Sequence, residues 1–134
     1  MTLYLDASAL FKRYVAEPSS DVVERLLFED SKWVAANHTY VEICINLGRR
    51  LGPETLPVAI ARFARDWEAI RVVVLDGGLC RRAADIGVEY DLRTLDALHL
   101  AAAERAGGPE LTFVTFDTRL AEAARAMGFP VAGV

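Results

Sequence analysis

Thr2-Leu3-Tyr4-Leu5-Asp6 and Leu111-Thr112-Phe113-Val114-Thr115-Phe116-Asp117 are two short apolar runs, one near each end of the chain, and each stops at an aspartate. Short runs of this kind, bounded by polar or turn-forming residues, read as buried strands. Between them the pattern alternates. Ala7 to Val15 reads as a helix, and Pro18 suits the first residue of the next, whose apolar face carries Val22, Val23, Leu26 and Leu27. Residues 32–36 (Lys-Trp-Val-Ala-Ala) read as a second strand, with Asn37 or Thr39 as cap of a helix running to about Leu51. Gly52-Pro53 stops that helix, and another covers roughly 54–69. Arg71 to Leu75, with three valines, reads as a strand buried on both faces, and Gly77-Gly78 turns into a helix reaching about Val88. Residues 94–106 are strongly helical and end at Gly107-Gly108-Pro109. A helix over about 118–127 and a last short strand at 130–132 complete the chain. Strands alternating with helices predict an α/β fold, with a mostly parallel sheet and helices on both sides.

The 134 residues suit one domain, 1–134, and are too few for two of ordinary size. No repeat, low-complexity tract or linker interrupts them. No apolar run is long enough to span a bilayer and no signal segment opens the chain, so the expectation is a cytoplasmic protein with no membrane partner. Cys44 and Cys80 lie in apolar helical stretches without a CxxC partner, which predicts buried free thiols. The formal net charge of −4 gives no global help in binding nucleic acid, so any such affinity must come from a local basic surface or bound cations.

Ligands of open α/β sheets bind beyond the carboxyl ends of the strands, and Asp6 and Asp117 mark that edge. Either could instead be only a helix N-cap. Two more acids stand out by their surroundings. Glu42 lies in Thr39-Tyr40-Val41-Glu42-Ile43-Cys44-Ile45, either on a plain polar helix face with Asn46 and Arg49 or turned toward the same edge. Asp96 lies in Leu95-Asp96-Ala97-Leu98-His99-Leu100-Ala101, where an apolar helix would hide a carboxylate at high cost. Its alternative role is to stabilise the helix dipole from the first turn. His99 shares its face and reads as a packed or hydrogen-bonded residue rather than a ligand. Ser8 and Thr115 offer hydroxyls beside Asp6 and Asp117. Asp76 also ends a strand, but a Gly-Gly turn follows it. Carboxylates crowded at one edge repel unless a cation lies between them, so Asp6, Glu42, Asp96 and Asp117 point to a Mg²⁺ or Mn²⁺ site acting on phosphates.

These segments resemble a PIN-domain protein of the VapC type, the ribonuclease toxin of a toxin–antitoxin pair. The resemblance rests on Leu5-Asp6-Ala7-Ser8-Ala9-Leu10, Tyr40-Val41-Glu42-Ile43, Leu92-Arg93-Thr94-Leu95-Asp96-Ala97-Leu98-His99-Leu100-Ala101-Ala102-Ala103, and Val114-Thr115-Phe116-Asp117-Thr118-Arg119-Leu120, in this order through the whole chain. It implies a three-layer α/β/α sandwich and an acidic pocket of Asp6, Glu42, Asp96 and Asp117 holding one or two Mg²⁺ or Mn²⁺ ions, with Ser8 and Thr115 in support. It also implies an RNA substrate, a homodimer, and a VapB-type antitoxin covering the pocket. The chain departs from the pattern at Ala36-Asn37-His38, where a small hydroxyl residue and an apolar one are expected before the glutamate.

The expected reaction is hydrolysis of an RNA phosphodiester by water activated at the metal, with no histidine base. Lys12, Arg13, Arg49, Arg50, Arg93 and Arg119 are candidate phosphate contacts. A phosphorelay receiver would need a second acid beside Asp6 and a lysine ending a late strand, and a haloacid-type phosphatase would need an acid at position 8; the chain has neither. The remaining alternative is a PIN scaffold that binds RNA or antitoxin without cutting.

Overall fold

The computed structural model describes all 134 residues. Five strands, β1 (Thr2–Leu5), β2 (Lys32–Ala36), β3 (Arg71–Val73), β4 (Leu111–Thr115) and β5 (Val131–Gly133), form one sheet in the order β3-β2-β1-β4-β5. All four pairings are parallel. Seven helices fill the connections: α1 (Ala7–Phe11), α2 (Ser20–Glu29), α3 (Asn37–Arg50), α4 (Leu56–Ala69), α5 (Gly77–Tyr90), α6 (Thr94–Ala106) and α7 (Thr118–Ala126). None is long and apolar enough to cross a membrane.

The period-two pleat of the strands divides the core in two. Leu3, Leu5, Ala35 and Val114 face one way and pack with Ala9, Leu10, Val23, Leu27, Ile43, Leu47 and Phe63 of α1 to α4. Tyr4, Val34, Ala36, Val73, Leu111 and Phe113 face the other way and pack with α5, α6 and α7 through Leu79, Ile86, Leu100 and Leu120. The result is the expected three-layer α/β/α sandwich. The strand sequence runs outward from β1 to β2 and β3 on one side and to β4 and β5 on the other. The gap between β1 and β4 is therefore the topological switch point, where this class of sheet places its ligands.

Several local expectations are corrected. Helix α1 ends at Phe11 rather than Val15, because the amides of Lys12 and Arg13 bond three residues back, to Ala9 and Leu10, and tighten the chain into a turn. Pro18 lies in a second turn, with Ser19, and α2 starts only at Ser20, after Ser19 in the left-handed region at φ 71°. Helix α3 begins directly after β2 with no side-chain cap, so neither Asn37 nor Thr39 caps it, and the Thr39 hydroxyl is buried without a partner. The valine run is an edge strand of only three residues, with Val74 62% exposed: it pairs with β2 alone and the chain then leaves to reach the Asp76 cap of α5. Both cysteines are free, but Cys80 is exposed and Cys44 only half-buried at the margin of the core it packs against.

Candidate active site

Asp6 is held where β1 ends. Its amide donates to the Val114 carbonyl, continuing the β1–β4 ladder by one residue. One carboxylate oxygen accepts from the Ala9 amide (2.9 Å) and from the Ser8 hydroxyl (2.7 Å), and the other accepts from the Thr115 hydroxyl (2.5 Å). The residue is 3% exposed. Burial pushes its carboxyl above the usual aspartate range, against the opposing pull of His99 and of these three donors. The cap and the site are therefore one residue: Oδ1 caps α1, while the carboxylate stays at the switch point.

Asp117 divides its work the same way. Oδ1 accepts from the Leu120 amide (3.0 Å) and caps α7, and its own amide donates to Thr115 Oγ1 (3.1 Å). Oδ2 faces the guanidinium of Arg93 at 3.9 Å. Ser8 and Thr115 tie the two strand ends together, because Ser8 Oγ also accepts from the Phe116 amide (3.0 Å). Asp96 enters from the first turn of α6, half-buried, with Oδ2 3.7 Å from Arg93 Nε. Burial raises its carboxyl and the neighbouring Asp117 raises it further; Arg93 and His99 oppose, and Glu42 adds to the rise. Asp96 thus feels Asp117 and Glu42 directly, and Asp6 and Glu42 together act on Tyr4.

Glu42 is not simply part of a solvated face. Its Oε1 lies 2.9 Å from His99 Nε2 and 3.5 Å from His38 Nε2. His99 is buried on the inner side of α6, with Nδ1 2.9 Å from the Tyr4 hydroxyl and its ring edge-on to Tyr4. The expectation of a hydrogen-bonded helix residue describes it. Sequence reasoning missed His38, whose ring lies 4.2 Å from that of His99. Its pKa is lowered to about 4, first by burial and then by His99. The signal was available: His38 stands four residues before Glu42 on α3, in the segment that departs from the family pattern.

Other candidates lie elsewhere. Asp76 caps α5 and is held by Arg105 at 2.7 and 3.0 Å, which draws its carboxyl down to about 2. Of the proposed phosphate contacts, Lys12 and Arg50 pair with Glu17, Arg13 with Glu24 and Asp66, and Arg119 with Asp91. Arg49 is exposed on the last turn of α3. Arg93 alone pairs with the acids, and 82% of its side chain is exposed, so it can leave them for a phosphate.

These donors fit a divalent cation. Mg²⁺ keeps several waters and needs few carboxylates, so acids spread around a cleft suffice to hold it. The raised carboxyl of Asp6 registers desolvation, and that of Asp96 registers desolvation and the repulsion of Asp117 and Glu42, both of which a cation relieves. Yet the one group of three or more donors within 4.8 Å of one another is His38, Glu42 and His99 rather than the acids alone.

Residues 3–126 match the family model described as PIN domain. The chain is 36% identical over 134 residues to a protein named Ribonuclease VapC35 of Mycobacterium tuberculosis, covering 96% of this chain and 94% of the relative. It is 33% identical over 136 residues to Ribonuclease VapC46 of the same species, covering 96% and 95%. Among solved structures, Mycobacterium tuberculosis VapC20, described as a Sarcin-Ricin loop cleaving toxin, superposes with a TM-score of 0.76 over 98% of both chains at 22% identity. A toxin–antitoxin complex from Klebsiella pneumoniae superposes with a TM-score of 0.69 over 87% of both chains at 15% identity.

Proposed function

The chain belongs to the PIN-domain family, in its VapC ribonuclease group, and from that premise we propose that it is a divalent-metal-dependent endoribonuclease serving as the toxin of a toxin–antitoxin pair. The observation that carries this reading is the linkage of the acids around the β1/β4 switch point: Thr115 joins Asp6 to Asp117, Arg93 lies between Asp117 and Asp96, and Glu42 and Asp117 both act on Asp96.

Asp6, Asp96, Asp117 and Glu42 would hold Mg²⁺ or Mn²⁺. When bound, such an ion lowers the pKa of a water and neutralises charge developing on the phosphate. Ser8, Thr115 and the Ala9 amide fix the Asp6 carboxylate so that it does not reorganise during the reaction. Arg93, freed from Asp96 and Asp117 as their charge is taken up, holds a non-bridging phosphate oxygen. The substrate is single-stranded or looped RNA, whose backbone enters a cleft at a sheet edge more readily than a stacked helix. Capture of the pocket by a VapB-type antitoxin and assembly as a homodimer follow from the same group; the names VapC and toxin among its relatives and structural neighbours support the pairing.

The test is incubation of chelator-stripped protein with total cellular RNA, with and without Mg²⁺ or Mn²⁺, beside Asp96→Asn. Discrete metal-dependent cleavage that the variant lacks is the expected result. Equal cleavage by both proteins, or none by the wild type in either metal, refutes the reading; in the second case a scaffold that binds without cutting takes its place.

A further inference from the structure

His38 and Glu42 sit one helical turn apart on α3, and His99 reaches the same point from α6. Glu42 Oε1 is 2.9 Å from His99 Nε2 and 3.5 Å from His38 Nε2, and one donor atom from each residue lies within 4.8 Å of the others. Ligand atoms at the corners of a tetrahedron with bonds of about 2.0–2.1 Å stand roughly 3.3–3.4 Å apart. The two carboxylate–imidazole distances fall on either side of that edge, and the two imidazole donors lie within 4.8 Å of each other, so side-chain rotations without backbone movement can close the set around an ion.

Two further observations single the cluster out. Both ring nitrogens of His38 are sealed from solvent and neither makes a well-formed hydrogen bond, the Leu95 backbone and Glu42 Oε1 at 3.5 Å being the polar groups that act on the ring, and so weak a set of partners for a buried imidazole normally costs stability. His99 already has the outer partner that metal-binding histidines require, because the Tyr4 hydroxyl engages Nδ1 and directs Nε2 at Glu42. We propose that His38, Glu42 and His99 form a second cation site, nitrogen-rich and selective for a borderline ion such as Zn²⁺ or Co²⁺ over Mg²⁺. It adjoins the carboxylate site and shares Glu42 with it. Two imidazoles and one carboxylate suit Zn²⁺ or Co²⁺, whereas Mg²⁺ prefers oxygen and gives up water reluctantly. Three protein ligands would leave one position of a tetrahedral ion for water or another ligand. The assignment stands whether or not the protein cuts RNA.

The chain has two histidines and both are in this cluster, so histidine signals report on it alone. Chelator-stripped protein labelled with ¹⁵N-histidine is titrated with Zn²⁺ and, separately, with Mg²⁺, and Co²⁺ is followed by its visible absorption. The first equivalent of Zn²⁺ is expected to shift both imidazole rings, while excess Mg²⁺ leaves them in place. His38→Gln is expected to weaken Zn²⁺ more than the roughly 10–100-fold that loss of an outer partner costs, and Tyr4→Phe to fall within that range. Asp96→Asn is expected to keep the Zn²⁺ response while abolishing any Mg²⁺-dependent cleavage, which separates this site from the nuclease reading. Rings that do not respond to Zn²⁺, equal Zn²⁺ affinity in His38→Gln and wild type, or loss of Zn²⁺ in Asp96→Asn as complete as in His38→Gln would each overturn the proposal.

Discussion

Thr115→Val removes one hydroxyl of a fully buried side chain and leaves its volume almost unchanged. That hydroxyl donates to Asp6 Oδ2 at 2.5 Å and accepts from the Asp117 amide at 3.1 Å. A hydrogen bond to a charged group contributes about 1.5–3 kcal/mol, and the half-buried Asp117 amide adds up to about 1 kcal/mol because water replaces its partner incompletely. The expected loss in metal-free protein at pH 8 is thus about 1.5–4 kcal/mol. The loss depends on pH. Burial raises the folded pKa of Asp6 above its unfolded value, so the stability this group contributes is fully present below the unfolded pKa and is lost as pH rises through the folded one. Thr115 opposes that rise, and removing it steepens the loss. Once Asp6 is protonated the bond joins two neutral groups and is worth about 0.5–1.5 kcal/mol. Urea unfolding in chelator at pH 8 and at pH 4, with Thr115→Ser as the control that keeps the hydroxyl, measures the difference. With a slope of about 1.5–2 kcal/mol per molar, the pH 8 midpoint of Thr115→Val falls by roughly 0.8–2.7 M, and by clearly less at pH 4. An equal cost at both pH values, or a Thr115→Val no weaker than Thr115→Ser, would refute the assignment of this hydroxyl to a charged Asp6.

Arg93→Gln should change stability by less than about 1 kcal/mol, since its two ion pairs are long and its side chain is 82% exposed. It should raise KM for RNA and flatten the salt dependence by about 0.7 of a logarithmic unit, the share of one phosphate on a single strand. Gly133→Ala places a Cβ 2.0 Å from the Thr115 carbonyl oxygen at a backbone φ of +108°, so β5 must detach or strain. The expected cost is about 1–3 kcal/mol, read as a lower Tm and faster amide exchange in β5. His38, with its pKa lowered to about 4, contributes stability that is present above its unfolded pKa and lost as pH falls toward the folded value. In chelator, His38→Gln should lose the part of the acid-side slope between about pH 6.5 and 4 that this ring supplies, and an unchanged slope would remove that role.

The sequence by itself determined the element order and the class of fold. Strand-length apolar runs and helical periodicity follow from local steric and burial rules, so each is legible within a window of ten residues or so. Asp6 and Asp117 could be placed at one sheet edge because parallel strands all end on the same side. The order of the strands lay beyond such windows. Only the tertiary structure put β1 beside β4, joined the two aspartates through Thr115 and Ser8, and made the Arg71–Val73 strand an edge. It also decided what Glu42 touches. Position 42 carries two signs in the sequence, an acid among apolar neighbours and a histidine four residues before it, and neither names His99. Its partners His38 and His99 come from one turn before and from 57 residues away, and a contact between α3 and α6 across the edge of a sheet is set by packing that no local pattern encodes.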